Sequence, residues 1–313
     1  KGRIHPDWHP LKDGENGAVT GRVSASNPSP QVIPKRDPYF GMLTRGAFLP
    51  EEGHKWISSD YAQQEPRWIV DYSHTMGLPG VQRMVDAYDA DPSMSYHIMC
   101  AKFSGLTKDK VKPINLGVAY GMGRKAMERG LMDLGIDRHK ASTVYDTYHR
   151  ELPYVNRFVE EVENLAQSRG WIRTKLGRRS HFDQWEPFEN YGKGEDWVIP
   201  CSHEDAIKHR DNGDPQWKGQ SIKRFGVRLA PNKVIQGTSA DQNKKAMLML
   251  WKAGFKDLFM ICPVHDEQNF SSGNVERDSK LIRECMQDAI PSRIPFRVEI
   301  DVSDRWMIQT GEE

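Results

Sequence analysis

The sequence predicts an α+β protein, and three observations predict it. Strand-like apolar runs lie towards the two ends of the chain, at 55–59, 258–270 and 296–302, whereas the stretch 81–160 reads as mostly helical. The composition, 37% hydrophobic and 10% aromatic over 313 residues, is that of a chain that builds a packed core.

The first 40 residues are rich in Pro, Gly, Ser and Asn and read as turns with short extended pieces. A strand follows at Lys55–Ser59, with Asp60 just after it. A helix opens near Glu65–Pro66, since proline is tolerated in a first helical turn. The helical stretch 81–160 is expected to break at Gly105, Pro113, Gly135 and Pro153. The stretch 183–224 is polar, dotted with tryptophans and interrupted by glycines, and reads as an insertion or long loop. A helix is expected from Pro231 to about Lys252. Leu258–Phe270 reads as two strands hinged at His265-Asp266, and the alternating run Phe296–Val302 as a last strand.

The length allows one large or two modest domains. No apolar run approaches the roughly 20 residues of a membrane helix. No signal peptide is evident, so a cytoplasmic protein that does not engage membranes is expected. The chain begins at Lys1, so either the numbering starts inside a longer protein or the chain was processed. The cysteines, at 100, 201, 262 and 285, form no C-x-x-C pair, and Cys201 with His203 is only C-x-H. Buried reduced thiols are expected, not a zinc site. Net charge is only +1, so any nucleic-acid footprint must be local.

Two acidic residues carry the chemistry. Asp60 follows one apolar run, and Asp266 follows Phe259-Met260-Ile261-Cys262-Pro263-Val264-His265. Carboxylates at the ends of adjacent strands can converge on one point, where at about 4 Å they repel by about 4 kcal/mol at an effective dielectric near 20. Such a pair shifts its pKa upward or binds cations. Mg²⁺ takes a few carboxylates with phosphate oxygens and water, and two such ions can activate a hydroxyl nucleophile and stabilise a phosphate leaving group. On spacing alone, the two aspartates also read as unrelated strand-end turn residues.

Six motifs in order along nearly the whole chain carry a resemblance. Thr20-Gly21-Arg22-Val23-Ser24, with Pro28 and Gln31-Val32-Ile33-Pro34, resembles TGRLSS…PNLQNIP. Ser59-Asp60-Tyr61-Ala62-Gln63-Gln64-Glu65-Pro66-Arg67 resembles D-Y-S-Q-I-E-L-R, motif A. Lys112 to Met122 resembles K-x-x-N-F-G-x-x-Y-G-M, motif B. Thr174 to Arg179 matches T-x-x-G-R-R, and Ile235 to Asp241 matches I-Q-G-T-A-A-D. Val264-His265-Asp266-Glu267 matches motif C. By these motifs the chain resembles the family A DNA polymerases, the kin of bacterial DNA polymerase I and phage replicases.

The resemblance implies a right-hand polymerase core, an antiparallel palm sheet backed by helices with helical fingers. On this chain that gives palm at 1–68, fingers at 69–225 with the polar insertion at about 183–224, and palm again at 226–313. A thumb and a 3′–5′ exonuclease domain are not expected within it, so a further region or a separate partner chain is expected to supply them. The implied activity is that of a DNA-directed DNA polymerase acting on primer-template DNA and dNTPs with two Mg²⁺ ions, for which Mn²⁺ can substitute. A related single-subunit RNA polymerase and a catalytically inactive replisome subunit are the alternatives.

By resemblance, Asp60 and Asp266 are the catalytic metal-binding carboxylates, Glu267 a supporting one, and His265 lies near the primer terminus. Glu65 and Tyr120 resemble the pair that closes over the sugar and excludes a 2′-hydroxyl. Thousandfold sugar discrimination needs only about 4 kcal/mol. Glu65 also reads as a helix N-terminal acid favoured by the macrodipole. Lys108, Lys112, Leu116 and Tyr120 recur every four residues and share one face of a continuous helix, offering charge to the triphosphate and an apolar side chain to the base. His97 resembles the histidine that touches nucleotide phosphates, and reads equally as a satisfied structural histidine. Arg22, Arg228, Asn232 and Gln236 resemble minor-groove readers, which check base-pair shape and not sequence. Arg178 and Arg179 are expected to touch phosphates or brace the fingers.

Three departures stand out. Lys108 replaces the usual arginine and loses bidentate geometry. Pro113 is expected to start or kink the helix, leaving Lys108 outside it. Leu116 replaces the common Phe or Tyr, as mainly in viral members, so a phage-type protein is expected. In the insertion, Trp185, Trp197 and Trp217 read as local core or a protein contact, or as a stacking surface for single-stranded template.

Overall fold

The structure, a computed structural model, describes residues 2–11, 17–34, 37, 39–190, 197–254 and 258–306, apart from the side chains of Leu258 and Phe259. In chain order the elements are β1 (Asp7–His9), β2 (Ser24–Ser26), α1 (Phe40–Arg45), β3 (Lys55–Tyr61), α2 (Gln64–Thr75), α3 (Gln82–Ala90) and α4 (Tyr96–Ser104). Then come α5 (Lys108–Ala119), α6 (Arg124–Asp133), α7 (Arg138–Glu151), α8 (Pro153–Arg169), β4 (Trp171–Arg173), β5 (Arg179–His181) and β6 (Trp185–Pro187). The chain closes with α9 (His203–Asp211), β7 (Ile222–Arg224), α10 (Ala230–Lys252), β8 (Leu258–Val264), β9 (Glu267–Ser272), α11 (Val275–Gln287) and β10 (Val298–Ser303). The expected α+β class is observed. The chain divides into two compact units, one of Lys1–Thr75, Gln82–Tyr96 and Ile235–Glu313, the other of Met76–Val81 and His97–Val234.

The first unit is built on a four-stranded antiparallel sheet in the order β10-β3-β9-β8. Trp56 to Ser59 and all of β9 are buried, so the middle of the sheet is covered on both faces. On one face Trp56, Cys262, Val264 and Trp306 form a core, with the Trp56 and Trp306 rings stacked at 5.7 Å. On the other, the Tyr61 hydroxyl donates to the Met286 carbonyl of α11 at 2.8 Å. Each large apolar side chain fully buried in this way contributes about 1.5–3 kcal/mol. Pro263 can sit in β8 because that strand is a sheet edge, where a missing N–H breaks no ladder bond. Its carbonyl instead accepts from Gln31 Nε2 at 3.1 Å, and the same amide reaches the Val23 carbonyl at 3.0 Å. The glutamine of Gln31-Val32-Ile33-Pro34 therefore ties the Thr20–Ser24 stretch to β8.

The second unit is mainly helical. Pro153 opens α8, and the left-handed Gly170 (φ 77°) closes it, its N–H bonding the Ala166 carbonyl. The short antiparallel pairs β4-β5 and β6-β7 complete this unit.

Several expectations are corrected. β3 runs on to Tyr61, so Asp60 lies within the strand and not after it. Pro113 does not break α5, which is continuous from Lys108 to Ala119. The carbonyl this proline leaves without a helical donor belongs to Asp109; both residues are exposed, so water can serve it. The last strand starts at Val298, and Phe296 packs its ring 4.6 Å from that of Trp68. Cys201 is half-buried, unlike the other three cysteines.

The stretch 183–224 is not a long loop, although 191–196 lie outside the described residues. Strands β6 and β7 pair, Cys201 bridges to Trp185, and Val198, Ala206 and Trp217 form a small core with Trp185 and Ile222 against it. The polar composition hid this core because few apolar residues, spread over forty positions, are needed to build it. Trp217 and Trp185 are core residues, whereas Trp197 is 42% exposed. No helix among the described residues is long and apolar enough to cross a membrane.

Candidate active site

The strand register brings the acidic residues of motifs A and C to one end of the sheet. Ser59 of β3 is paired with Gln268 of β9. That pair ends the ladder; Asp60 follows on β3, Glu267 precedes Gln268 on β9, and Asp266 lies in the tight turn just before it. On the other side, Glu299 of β10 is paired directly with Asp60. Neighbouring strands lie about 5 Å apart, so Asp60 and Asp266 are near neighbours though distant in sequence. Burial first, and then the negative charge of Asp266, raises the Tyr61 hydroxyl well above its ordinary range.

Glu267 is differently placed. It is buried, and its Oε1 accepts from Asn269 Nδ2 at 2.8 Å and Trp306 Nε1 at 3.2 Å. Arg45 Nη1 stands 3.7 Å away, and the Arg45 guanidinium lies 4.3 Å over the Trp306 ring. This carboxylate is thereby committed to the interior of its own unit. The turn before it is held in a rarer conformation: His265 has φ 60°, and its carbonyl accepts from Asn243 Nδ2 at 2.8 Å. A two-residue hairpin turn requires positive φ, and histidine tolerates it better than most side chains. The His265 side chain is exposed.

The donor set suits a hard divalent cation. Carboxylate oxygens with no thiolate or imidazole among them match Mg²⁺. Among the described residues no three of His, Cys, Asp and Glu gather closely enough to enclose a metal alone. The Glu299–Asp60 pair sets like charges opposite one another, an arrangement that a cation would relieve.

Glu65 lies in the first turn of α2, and Arg22 Nη2 bonds its Oε1 at 2.9 Å. Two residues expected to do separate jobs are thus one ion pair. Arg67 of motif A is a brace: its guanidinium donates to the carbonyls of Ala62, Pro92 and Pro295 and lies over the Tyr88 ring. Gln236, also in this unit, is half-buried on α10.

In the second unit, α5 turns Val111, Ile114, Asn115, Val118 and Ala119 inward and leaves Lys108 and Lys112 exposed, with Leu116 half-buried one turn further on. Tyr120 is the residue that ends the helix, with its N–H on the carbonyls of Leu116 and Gly117. Gly121 follows with φ 83°, which a side chain would strain. His97 is 5% exposed, and its Nδ1 accepts from Asn115 Nδ2 at 2.7 Å, while Tyr148 donates to the Asn115 carbonyl oxygen. Burial first, then Lys112 and Lys108, lower its pKa to about 4. It is therefore a neutral, hydrogen-bonded imidazole at pH 7.

Arg228 is exposed in the turn before α10, and its charge acts on Glu163, whose pKa burial raises and Arg228 lowers. Asn232, one helical turn before Gln236, is half-buried. Arg179 is exposed and stacks over Trp171 at 4.5 Å. Arg178 is half-buried, and its backbone N–H bonds Thr174 Oγ1 at 3.1 Å. Sequence reading missed Arg45, Asn243 and Glu299. The first two are fixed by tertiary contacts and no local pattern marks them, whereas an alternating strand facing β3 could have flagged Glu299.

A carboxylate-tipped antiparallel sheet in one unit, and a lysine-faced helix carrying motif B in the other, define a polymerase-type α+β protein. The model of "DNA polymerase family A" matches residues 1–308, and the chain belongs to that family. It is 29% identical to the DNA-directed DNA polymerase of Pseudomonas phage M6 over 97% of this chain and 47% of that one. It is 27% identical to the thermostable DNA polymerase I of Thermus aquaticus over 98% of this chain and 33% of the relative. Among solved structures it resembles the POL domain of Pol1 from M. smegmatis in complex with DNA primer-template and dNTP. The TM-score is 0.72 and the identity 25%, over 99% of this chain and 49% of that one. The chain thus spans about half the length of the phage relative and a third of the bacterial one.

Proposed function

We propose that the chain carries out template-directed DNA synthesis, adding dNTPs to a primer 3′-hydroxyl, as the core of a longer polymerising assembly. The observation that carries this reading is the strand register that sets Asp60 and Asp266 at one end of the sheet, within a chain matched by the family model from end to end.

Asp60 and Asp266 are the residues to hold divalent cations, two Mg²⁺ by the family pattern, with Mn²⁺ as a substitute. When bound, the ions lower the pKa of the primer hydroxyl and neutralise charge on the phosphates. Glu267 supports them indirectly, since it is occupied by Arg45, Trp306 and Asn269. Lys108 and Lys112 offer point charges to the triphosphate, Leu116 an apolar contact to the base, and Glu65 with Tyr120 the exclusion of a 2′-hydroxyl. His97, neutral at pH 7, can give phosphate at most an Nε2–H donor. Arg22, Gln236, Asn232, Arg228, Arg178, Arg179 and His265 serve primer-template DNA, Arg22 while also holding Glu65. A thumb and exonuclease region, or a partner chain, completes the duplex grip, so the isolated chain binds weakly and with steep salt dependence. The host cytoplasm is the compartment this activity requires.

Primer extension with Mg²⁺ tests the reading, beside Asp60→Asn and Asp266→Asn and with dNTP and rNTP lanes. Extension with dNTPs that both variants abolish is expected. Equal extension by either variant, or preference for rNTPs, overturns it.

A further inference from the structure

Helix α10 carries two adjacent buried amides, Gln242 and Asn243, that the proposed reaction does not use. Neighbours on a helix point about 100° apart, so the two address different elements. Gln242 Oε1 accepts from Gln64 Nε2 at 2.8 Å and from Trp68 Nε1 at 2.9 Å, both on α2. Gln64 stands four residues after Asp60. Asn243 Nδ2 donates to the His265 carbonyl at 2.8 Å, and its Oδ1 accepts from Gln268 Nε2 at 2.6 Å. His265 and Gln268 bracket Asp266 and Glu267. A carbonyl can only accept, so the Asn243 nitrogen must face His265 and its oxygen Gln268; the two bonds fix each other.

This network is not what stability alone would select. Gln242 Nε2 and Gln268 Oε1 are buried and have no hydrogen-bond partner among the described residues. A half-satisfied buried network is less favourable than an apolar core of the same shape. The family pattern D-Y-S-Q-I-E-L-R places Ile where this chain has Gln64. What directional bonds provide, and apolar contacts do not, is fixed geometry.

We propose that Gln242 and Asn243 are positioning residues that set the spacing of the Asp60 and Asp266 segments, and with it the affinity of the divalent-cation site. One arm anchors the start of α2 behind Asp60, and the other pins the left-handed turn before Asp266. Both arms leave the same turn of one helix, so neither segment can shift without breaking bonds to it. The proposal rests on the polymerase reading for the identity of the metal site, but its physical claim concerns cation binding.

The test uses the whole chain and two volume-conserving pairs, Gln64→Ile with Gln242→Leu, and Asn243→Met with Gln268→Leu. Mn²⁺ alone is titrated by electron paramagnetic resonance, with Asp60→Asn defining the site's signal. Thermal unfolding and steady-state primer extension are measured alongside. Each pair is expected to keep or raise the melting temperature and to weaken Mn²⁺ binding roughly tenfold, the usual effect of removing groups that orient metal ligands. kcat falls while KM for dNTP stays. Should a pair not fold, Asn243→Ser is the substitute, with the same loss of Mn²⁺ affinity expected. Wild-type Mn²⁺ affinity in folded variants overturns the proposal, as does a wild-type chain that binds no Mn²⁺. A chain that extends no primer, yet loses Mn²⁺ affinity on cutting the tie, leaves the tie standing and removes the polymerase reading.

Discussion

Replacing Arg45 by Met is predicted to cost about 3 kcal/mol of stability, and replacing Glu267 by Gln at the same time to recover most of it. Both side chains are at most 5% exposed, and Nη1 and Oε1 stand 3.7 Å apart. At that separation the attraction is about 4 kcal/mol with an effective dielectric near 20. The guanidinium over Trp306 adds about 1 kcal/mol. Against this, Arg45 Nε is buried without a hydrogen-bond partner among the described residues, and burial lowers the pKa of Arg45 while Glu267 and Cys262 raise it, so removing the cation also relieves a cost. The single variant removes the Arg45 charge from beside the buried Glu267 carboxylate, which keeps the Asn269 and Trp306 donors. Measured penalties for breaking a buried pair run to about 3–5 kcal/mol, and the two surviving hydrogen bonds place this one at the low end. In the double variant no charge is buried, and a glutamine oxygen can keep both donors. Urea unfolding at neutral pH, followed by intrinsic tryptophan fluorescence, to which the buried Trp56 and Trp306 contribute, gives the complete cycle. A loss below about 1 kcal/mol for the single variant, or a double variant no more stable than it, would refute the claim that Arg45 neutralises Glu267.

Four further outcomes are expected. His97 has a folded-state pKa of about 4 against an ordinary 6.5; its contribution to stability is present above pH 6.5 and is lost as pH falls towards 4. The difference amounts to about 3 kcal/mol by linkage, and denaturant titrations at pH 7 and pH 4.5 should show His97→Gln flattening it. Glu65→Ala should admit ribonucleotides up to roughly a thousandfold better, about 4 kcal/mol; an unchanged rNTP to dNTP ratio in primer extension excludes Glu65 from sugar selection. Dideoxynucleotides should be incorporated poorly, since Leu116 offers no hydroxyl in place of the missing 3′-hydroxyl, and ready termination at equimolar ddNTP and dNTP would contradict this. Trp217→Ala should remove about 3–5 kcal/mol from the small core of the 183–224 stretch, read as proteolytic cleavage there while the rest of the chain stays resistant.

The parts of this protein that could be read in the sequence are those fixed by local rules. The helix α10, the hairpin β8-β9 and the break at Pro153 follow from capping, turn chemistry and the position of proline. The motif residues Asp60 and Asp266 stood out through their order along the chain, and the register explains why that order matters. What could not be read depends on contacts between distant segments. Pro113 signals a break in any isolated helix, yet here an exposed face absorbs the lost bond. Arg45 lies outside every motif, and only the folding of α1 beneath the sheet brings it to Glu267. The pairing of Arg22 with Glu65 likewise needs tertiary structure, since 43 residues separate them.

Among the described residues the sheet that bears the carboxylates ends in β8 and β10, and each carries features that discourage pairing with a foreign strand. On β8, Pro263 withholds an amide hydrogen, and the ladder is irregular between Met260 and Cys262. On β10, Glu299 and Asp301 stand exposed and would repel an acidic newcomer. Chains meeting at high concentration are therefore discouraged from zipping together edge to edge.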